Sequence, residues 1–338
     1  MKLQNTTRNI AAFAALLFIG AAAPSASARQ GSGGGTISYT HVGIKEMWTM
    51  NSEGSNQTKL GSGTYGPVST ALYNNRRWFL DTRPIPDQFY PDGGQRVEVF
   101  ALRDDYDSSL NNNGATRVQL TDDIALQPLG DGLYSLDWVP GDQEISFKAQ
   151  RWSGGAVTES GIYTALLQLG ADGNIIGLAG QPTTPAIPFA LGRIPRTYCW
   201  DHMGTKIAYE ETTGLFIADR LGNPHQQILN GMAHTPRWSP DGTKIAFSNA
   251  NGGISTIKPN ATGLKQIIAR TSVWNFDRPY WSPTGSHIVC YGSPRPGQPY
   301  NLDLFRATAT GGRLTNLTNT PPTGGPPSEF AEYTMGWR

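Results

Sequence analysis

Residues 237–248 read Arg237-Trp238-Ser239-Pro240-Asp241-Gly242-Thr243-Lys244-Ile245-Ala246-Phe247-Ser248. Two β-favouring runs flank a Pro-Asp-Gly reversal in which Gly242 supplies the positive-φ position, so the segment predicts an antiparallel hairpin. The unit recurs. One copy runs from Tyr280-Trp281-Ser282-Pro283-Thr284-Gly285 to Ile288-Val289-Cys290-Tyr291, and another from Cys199-Trp200-Asp201-His202-Met203-Gly204 to Ile207-Ala208-Tyr209-Glu210. A weaker copy joins Asp137-Trp138-Val139-Pro140-Gly141 to Ile145-Ser146-Phe147-Lys148, and a degenerate one spans Ala71 to Leu80.

Each hairpin is followed by a third strand, such as Gly214-Leu215-Phe216-Ile217-Ala218-Asp219, a Gly-containing turn, and a fourth strand, such as Lys265-Gln266-Ile267-Ile268. Four antiparallel strands per repeat describe a propeller blade. The Trp-to-Trp spacings are 38 (200 to 238) and 43 (238 to 281), the length of a blade, whereas 62 (138 to 200) implies an insertion. Insertion loops are expected within 90–116 and 182–195. Five copies leave a sixth blade to be shared by the ends. Trp337 stands where a first strand should be, and Thr36-Ile37-Ser38-Tyr39 matches a second strand. Pairing them would seal the ring and remove its open edges. The expectation is an all-β, six-bladed propeller over residues 36–338.

The composition suits that fold. Gly at 40 and Pro at 24 in 338 residues supply many tight turns, and 38% hydrophobic with 10% aromatic residues supply a core. A net charge of +1 gives no field for a polyanion, so nucleic acid is not an expected partner. Lys2 and Arg8 precede the apolar run Ile10 to Ala23, and Ala26-Ser27-Ala28 follows as a small-x-small cleavage site. This predicts a signal peptide over 1–28, cleaved after Ala28, a flexible linker over 29–35, and a periplasmic or secreted product. An uncleaved N-terminal anchor is the competing reading. No other apolar run is long enough to cross a bilayer. Cys199 and Cys290 fall in non-adjacent blades, so two free thiols are expected.

The Trp-Ser-Pro-Asp-Gly-x-Lys-Ile-Ala-Phe unit resembles the WD40-like (PD40) repeat of TolB-type propellers, most closely in the fourth to sixth blades. TolB carries a separate α/β domain before its propeller, and the stretch between Ala28 and Thr36 leaves no room for one. Prolyl oligopeptidases place a similar propeller before a hydrolase domain, but no Gly-x-Ser-x-Gly motif occurs here. The resemblance implies that the Trp strand is innermost and that the residues just before each Trp rim the central channel. Those positions are Tyr65 and Gly66, Tyr134 and Asp137, Arg196 and Tyr198, His234 and Arg237, Asn275, Asp277 and Arg278, and Glu329 and Glu332. The candidate ligand- or partner-binding set is Tyr65, Tyr134, Arg196, His234, Asp277, Arg278, Glu329 and Glu332. The plainer reading is an ordinary solvated rim.

Metal motifs are weak. His41, His202, His225, His234 and His287 form no His-x-x-x-His pair, and only His234 falls at the rim. Oligogalacturonate lyases, a related propeller family, hold a divalent metal with several channel histidines, which this pattern does not match. Asp105, Asp107, Ser109 and Asn111 alternate as calcium ligands might be spaced, yet Asn112 and Val118 stand where such a loop needs Gly and Glu. No cofactor or metal is expected. Two functions follow. One is a monomeric binding or scaffold protein of the cell envelope, docking an envelope protein or a cell-wall or sugar ligand. The other is a carbohydrate-active lyase or hydrolase using Asp277, Glu329 and Glu332.

Overall fold

A computed structural model describes residues 35–41, 46–62, 70–73, 76–90, 93–103, 105, 116–129, 136–141, 143–189, 195–297, 302–319 and 332–337, with the backbone alone at 41, 61–62, 70, 72–73 and 332–337. The expected leader over 1–28, most of the expected linker, Tyr65, Gly66, Tyr134, Glu329 and the candidate calcium positions Asp107, Ser109 and Asn111 lie outside the described residues.

The strands form six small antiparallel sheets arranged as a six-bladed β-propeller. Blade 1 consists of Glu332–Trp337, Thr36–His41, Glu46–Asn51 and Thr58–Ser62. Blade 2 consists of Thr70–Tyr73, Arg76–Phe89, Gln95–Arg103 and Arg117–Gln119. Blade 4 consists of Tyr198–Trp200, Lys206–Glu211, Gly214–Asp219 and Gln226–Asn230. Blade 5 consists of Ala233–Trp238, Ile245–Asn249, Ile254–Ile257 and Lys265–Ile268. Blade 6 consists of Trp274–Trp281, His287–Pro294, Asp303–Thr308 and Thr315–Asn316. First strands touch one another in succession from blade 3 through blades 4, 5 and 6 to blade 1, around the axis. Ile37 pairs with Trp337 and His41 with Glu332, so the last strand does close the sheet begun by the first.

Blade 3 departs from the four-strand pattern. Its central hairpin, Glu144–Ser153 with Ala156–Leu169, is so long that two short strands share each flank. Leu126–Pro128 and Leu136–Val139 both pair along the inner side, and Ile175–Leu178 and Ile187–Pro188 along the outer side. Part of the expected 182–195 loop is therefore strand.

The repeat's turn chemistry is visible at residues 239–244. Asp241 Oδ1 accepts from the Thr243 amide at 3.0 Å and the Ser239 hydroxyl at 2.6 Å, and Ser239 Oγ accepts from the Lys244 amide at 2.9 Å. The Ser239 hydroxyl and then the Thr243 amide hold the Asp241 carboxyl below its usual range. Gly242 adopts φ 67°, which an L side chain resists.

The core lies between blades. Cys199, Ala208, Leu215 and Ile228 of blade 4 pack on Ala233, Trp238, Ile245 and Phe247 of blade 5. Comparable clusters join blades 3 and 4, 5 and 6, and 6 and 1. One larger cluster joins blades 2 and 3 and takes in Met47 of blade 1. The repeat Trp residues fill these wedges. Trp200 donates its indole N–H to Ser146 Oγ of blade 3 at 2.8 Å, and Trp281 to the Arg237 carbonyl of blade 5 at 3.0 Å. Both cysteines are buried free thiols, and burial pushes the Cys199 thiol up to about 12.

Candidate functional site

Arg196, His234 and Asp277 each stand four residues before the Trp of their blade. Proline two residues before the Trp shapes this position in blades 5 and 6. Pro236 and Pro279 cannot donate to the ladder, and each lies within a bulge, between His234 and Arg237 and between Asp277 and Tyr280. The preceding residues take left-handed backbone, Thr235 at φ 50° and Arg278 at φ 55°. For a β-branched Thr this is costly, on the order of 1–3 kcal/mol, and it needs support from its surroundings. Neighbouring blades provide it. The Thr235 amide donates to Thr197 Oγ1 of blade 4 at 3.2 Å, and its hydroxyl bonds Ser248 Oγ at 2.9 Å and Asp277 Oδ1 of blade 6 at 3.1 Å.

The result is a cup of about 230 Å³ lined by Arg196, Thr197, Glu210, His234, Thr235 and Asp277. Buried Glu210 is satisfied on both oxygens. His234 Nδ1 bonds Oε1, and the Thr197 hydroxyl bonds Oε2 at 2.9 Å. A carboxylate accepts only, so the Nδ1 of His234 carries a proton and a neutral ring keeps Nε2 as an acceptor. Asp277 Oδ1 receives the Thr235 and Ser248 hydroxyls and the Arg278 amide, the last at 2.7 Å. Of the groups lining the cup, three keep no hydrogen-bond partner among the described residues: the Arg196 guanidinium, His234 Nε2 and Asp277 Oδ2. The first strands of blades 4, 5 and 6 are also tied together by Arg237. Its Nη2 donates to Tyr280 Oη at 3.0 Å, its Nη1 to the Pro236 carbonyl at 3.0 Å and the Tyr198 carbonyl at 3.4 Å, and its guanidinium lies 4.7 Å from the Tyr280 ring centre.

Glu210 belongs to a wider pattern. In every blade the second strand's apolar run ends on a buried polar-bearing residue at the same register: Thr40, Asp81, Lys148, Glu210, Ser248 and Tyr291. Several reach the next blade, as Lys148 Nζ does in donating to the Arg196 carbonyl at 2.9 Å.

Asp81 is the member with a consequence for pH. Burial pushes its carboxyl from 3.8 up to about 6, with Arg83, bonded to Oδ2 at 2.8 Å, only partly offsetting the loss of water. The folded state then holds a proton that the unfolded state releases between about pH 4 and pH 6. Its contribution therefore favours the fold at the acid end and declines as pH rises through 6. Asp81→Asn removes that dependence. Relative to the parent, the variant should gain on the order of 2 kcal/mol between pH 4 and pH 7. Urea melts at both pH values would check this, and a pH-independent difference would refute it.

Of the candidate residues, the cup unites Arg196, His234 and Asp277. Arg278 follows Asp277, but its guanidinium lies 5.3 Å from the Tyr291 ring centre and it does not line the cup. Tyr198 is buried, with its hydroxyl 3.0 Å from Ser146 Oγ, and Asp137 Oδ1 accepts the Trp138 amide at 3.0 Å. Glu332 opens the closing strand, paired with His41. Thr197, Glu210, Thr235 and Ser248 were not singled out from the sequence. The signal for Glu210 and Ser248 was the polar residue ending each Ile-Ala-aromatic run. Among the described residues, no three His, Cys, Asp or Glu side chains gather into a group that would hold a metal ion.

No protein-family model matches the chain. A protein from Agrobacterium tumefaciens described as TolB is similar at 14% identity over 85% of this chain and 89% of that one, with a TM-score of 0.48. An oligogalacturonate lyase in complex with manganese is similar at 14% identity over 78% and 73%, with a TM-score of 0.44. The periplasmic gluconolactonase of Pseudomonas aeruginosa is similar at 11% identity over 83% and 82%, with a TM-score of 0.42. Likeness at this level assigns no activity.

Proposed function

We propose that this chain is an exported binding protein, periplasmic or secreted, that holds a polar ligand or an envelope partner in the cup of blades 4 to 6. One observation carries the reading. Three neighbouring blades each place a polar side chain in one concave site, and the supporting polar atoms are already bonded to one another. Prearranged groups of this kind bind without first being ordered, which favours affinity. The leader-like segment over 1–28 supports export. The expected occupants are an envelope protein or a cell-wall or sugar ligand.

Arg196 is exposed, with no side-chain partner among the described residues, so Arg196→Glu should leave the melting temperature nearly unchanged. In a thermal-shift panel of envelope solutes and cell-wall fragments, a ligand at a hundred times its Kd should stabilise the parent by about 2.7 kcal/mol. The variant should show none of that gain. Equal stabilisation of both proteins would remove the cup from consideration.

The His234–Glu210 hydrogen bond gives the second reading its support. A carboxylate that orients an imidazole makes a competent general base, so a carbohydrate-active lyase or hydrolase remains the alternative function. A polysaccharide turnover screen separates the two. Turnover that disappears in His234→Ala and Asp277→Ala would favour the enzyme.

A further inference from the structure

We propose that the cup recognises a small zwitterion, a molecule carrying a carboxylate and an ammonium on neighbouring carbons, as an α-amino acid does; this rests on the cup being the binding site.

Arg196 and Asp277 line the same cup of about 230 Å³, yet no ion pair joins them. Opposite charges that share a concave site usually pair, because each otherwise loses water without compensation. Here the Arg196 backbone and the Asp277 carboxylate are each held by other partners, while the exposed Arg196 guanidinium itself is held by none among the described residues. The Arg196 backbone is pinned on both sides, its amide donating to the Glu210 carbonyl at 3.2 Å and its carbonyl accepting Lys148 Nζ at 2.9 Å. Asp277 is held through Oδ1 by two hydroxyls and an amide, which leaves Oδ2 facing no donor. The cup therefore presents an unpaired guanidinium beside a held carboxylate.

Glu210 is the third charged group. Both its oxygens already accept hydrogen bonds, so it contributes its charge to the cup while its hydrogen-bonding positions are occupied. His234 Nε2 has no partner among the described residues and is an acceptor whenever the ring is neutral. A carboxylate on the Arg196 guanidinium can accept two parallel N–H bonds. An ammonium has three donors, and Asp277 Oδ2 and His234 Nε2 offer two acceptors for them. A uronic acid would satisfy Arg196 and leave Asp277 uncompensated. A simple amine would do the reverse. The volume lies below the roughly 300–1,000 Å³ of pockets for drug-sized molecules, which suits a ligand of few heavy atoms.

Isothermal titration of the mature chain tests this with L-alanine, D-alanine, acetate, methylammonium, galacturonate and galactose as probes. At least one alanine enantiomer should bind, and acetate and methylammonium should each bind at least tenfold more weakly. Arg196→Gln and Asp277→Asn should each weaken alanine at least tenfold. The amide keeps an oxygen for the Thr235 and Ser248 hydroxyls, and melting curves report whether that variant folds; Arg196→Gln, at an exposed position, tests the proposal independently. If galacturonate or acetate binds as tightly as alanine, loses affinity in Arg196→Gln and ignores Asp277→Asn, the zwitterion is wrong while the cup stands as a binding site. If galactose binds and neither substitution matters, both readings fall. Absence of heat from either alanine at millimolar concentration overturns the proposal alone.

Discussion

Deleting residues 332–338 should leave a chain that does not fold cooperatively at 37 °C. Those residues include the strand that pairs with Thr36–His41, from Ile37 opposite Trp337 to His41 opposite Glu332. The same strand touches three strands of blade 6, Trp274–Trp281, His287–Pro294 and Asp303–Thr308. Its loss thus opens an inner sheet edge and weakens the seam between blades 6 and 1. What remains of that seam is the cluster of Ile37, Tyr39 and Met50 with Val289, Leu304 and Leu317, and a paired contact of Arg306 with Glu53. The Glu53 side chain is 64% exposed, so that ion pair cannot compensate. Total stability is about 5–15 kcal/mol for a typical domain, and a lost strand of six residues takes a large share of it. Circular dichroism melts and size-exclusion profiles provide the measurement. A truncated chain that melts within about 5 °C of the parent would mean the ring does not depend on its closure.

Trp281→Ala should cost about 3–5 kcal/mol, with the Arg237 carbonyl left without its indole donor as part of that loss. Trp281 is 7% exposed and packs with Ala246, Ile254, Phe276 and Phe305 between blades 5 and 6. Trp281→Phe keeps most of the packing and loses the hydrogen bond, so about 1–2 kcal/mol is expected. Trp238 offers an internal control. Its buried indole N–H has no partner, so Trp238→Phe should be cheaper than Trp281→Phe. Urea titrations of the three variants would decide. Equal costs for the two Phe variants would show that the indole bond adds nothing.

The hairpin at residues 237–248 was legible because turn and strand signals there agree, and four further copies repeat them. The closing strand was legible from Trp337 together with the second-strand pattern of Thr36-Ile37-Ser38-Tyr39. Blade 3 was harder to read. Nothing in Glu144–Leu169 announces that one hairpin would outgrow its blade and take two partners on each side, since strand length is set by what lies alongside. The site shows the same division. The resemblance put the residues just before each Trp at the channel rim, and three of them that stand four residues before it, Arg196, His234 and Asp277, line one cup. Glu210 and Ser248 act across a blade boundary, and repeat alignment compares blades without revealing which atoms of one touch the next. Arg278, adjacent to Asp277 in sequence, adopts left-handed backbone, and its guanidinium lies 5.3 Å from the Tyr291 ring centre.

The pairing of Ile37 with Trp337 also orders events in time. A ribosome delivers the amino end first, and domains tend to assemble as they emerge. In this molecule Thr36–His41 has to wait for Glu332–Trp337, so a nascent chain stays unlatched until Trp337 has been delivered. Products of premature termination would carry a permanently unfinished first blade, a surface that proteases and chaperones recognise.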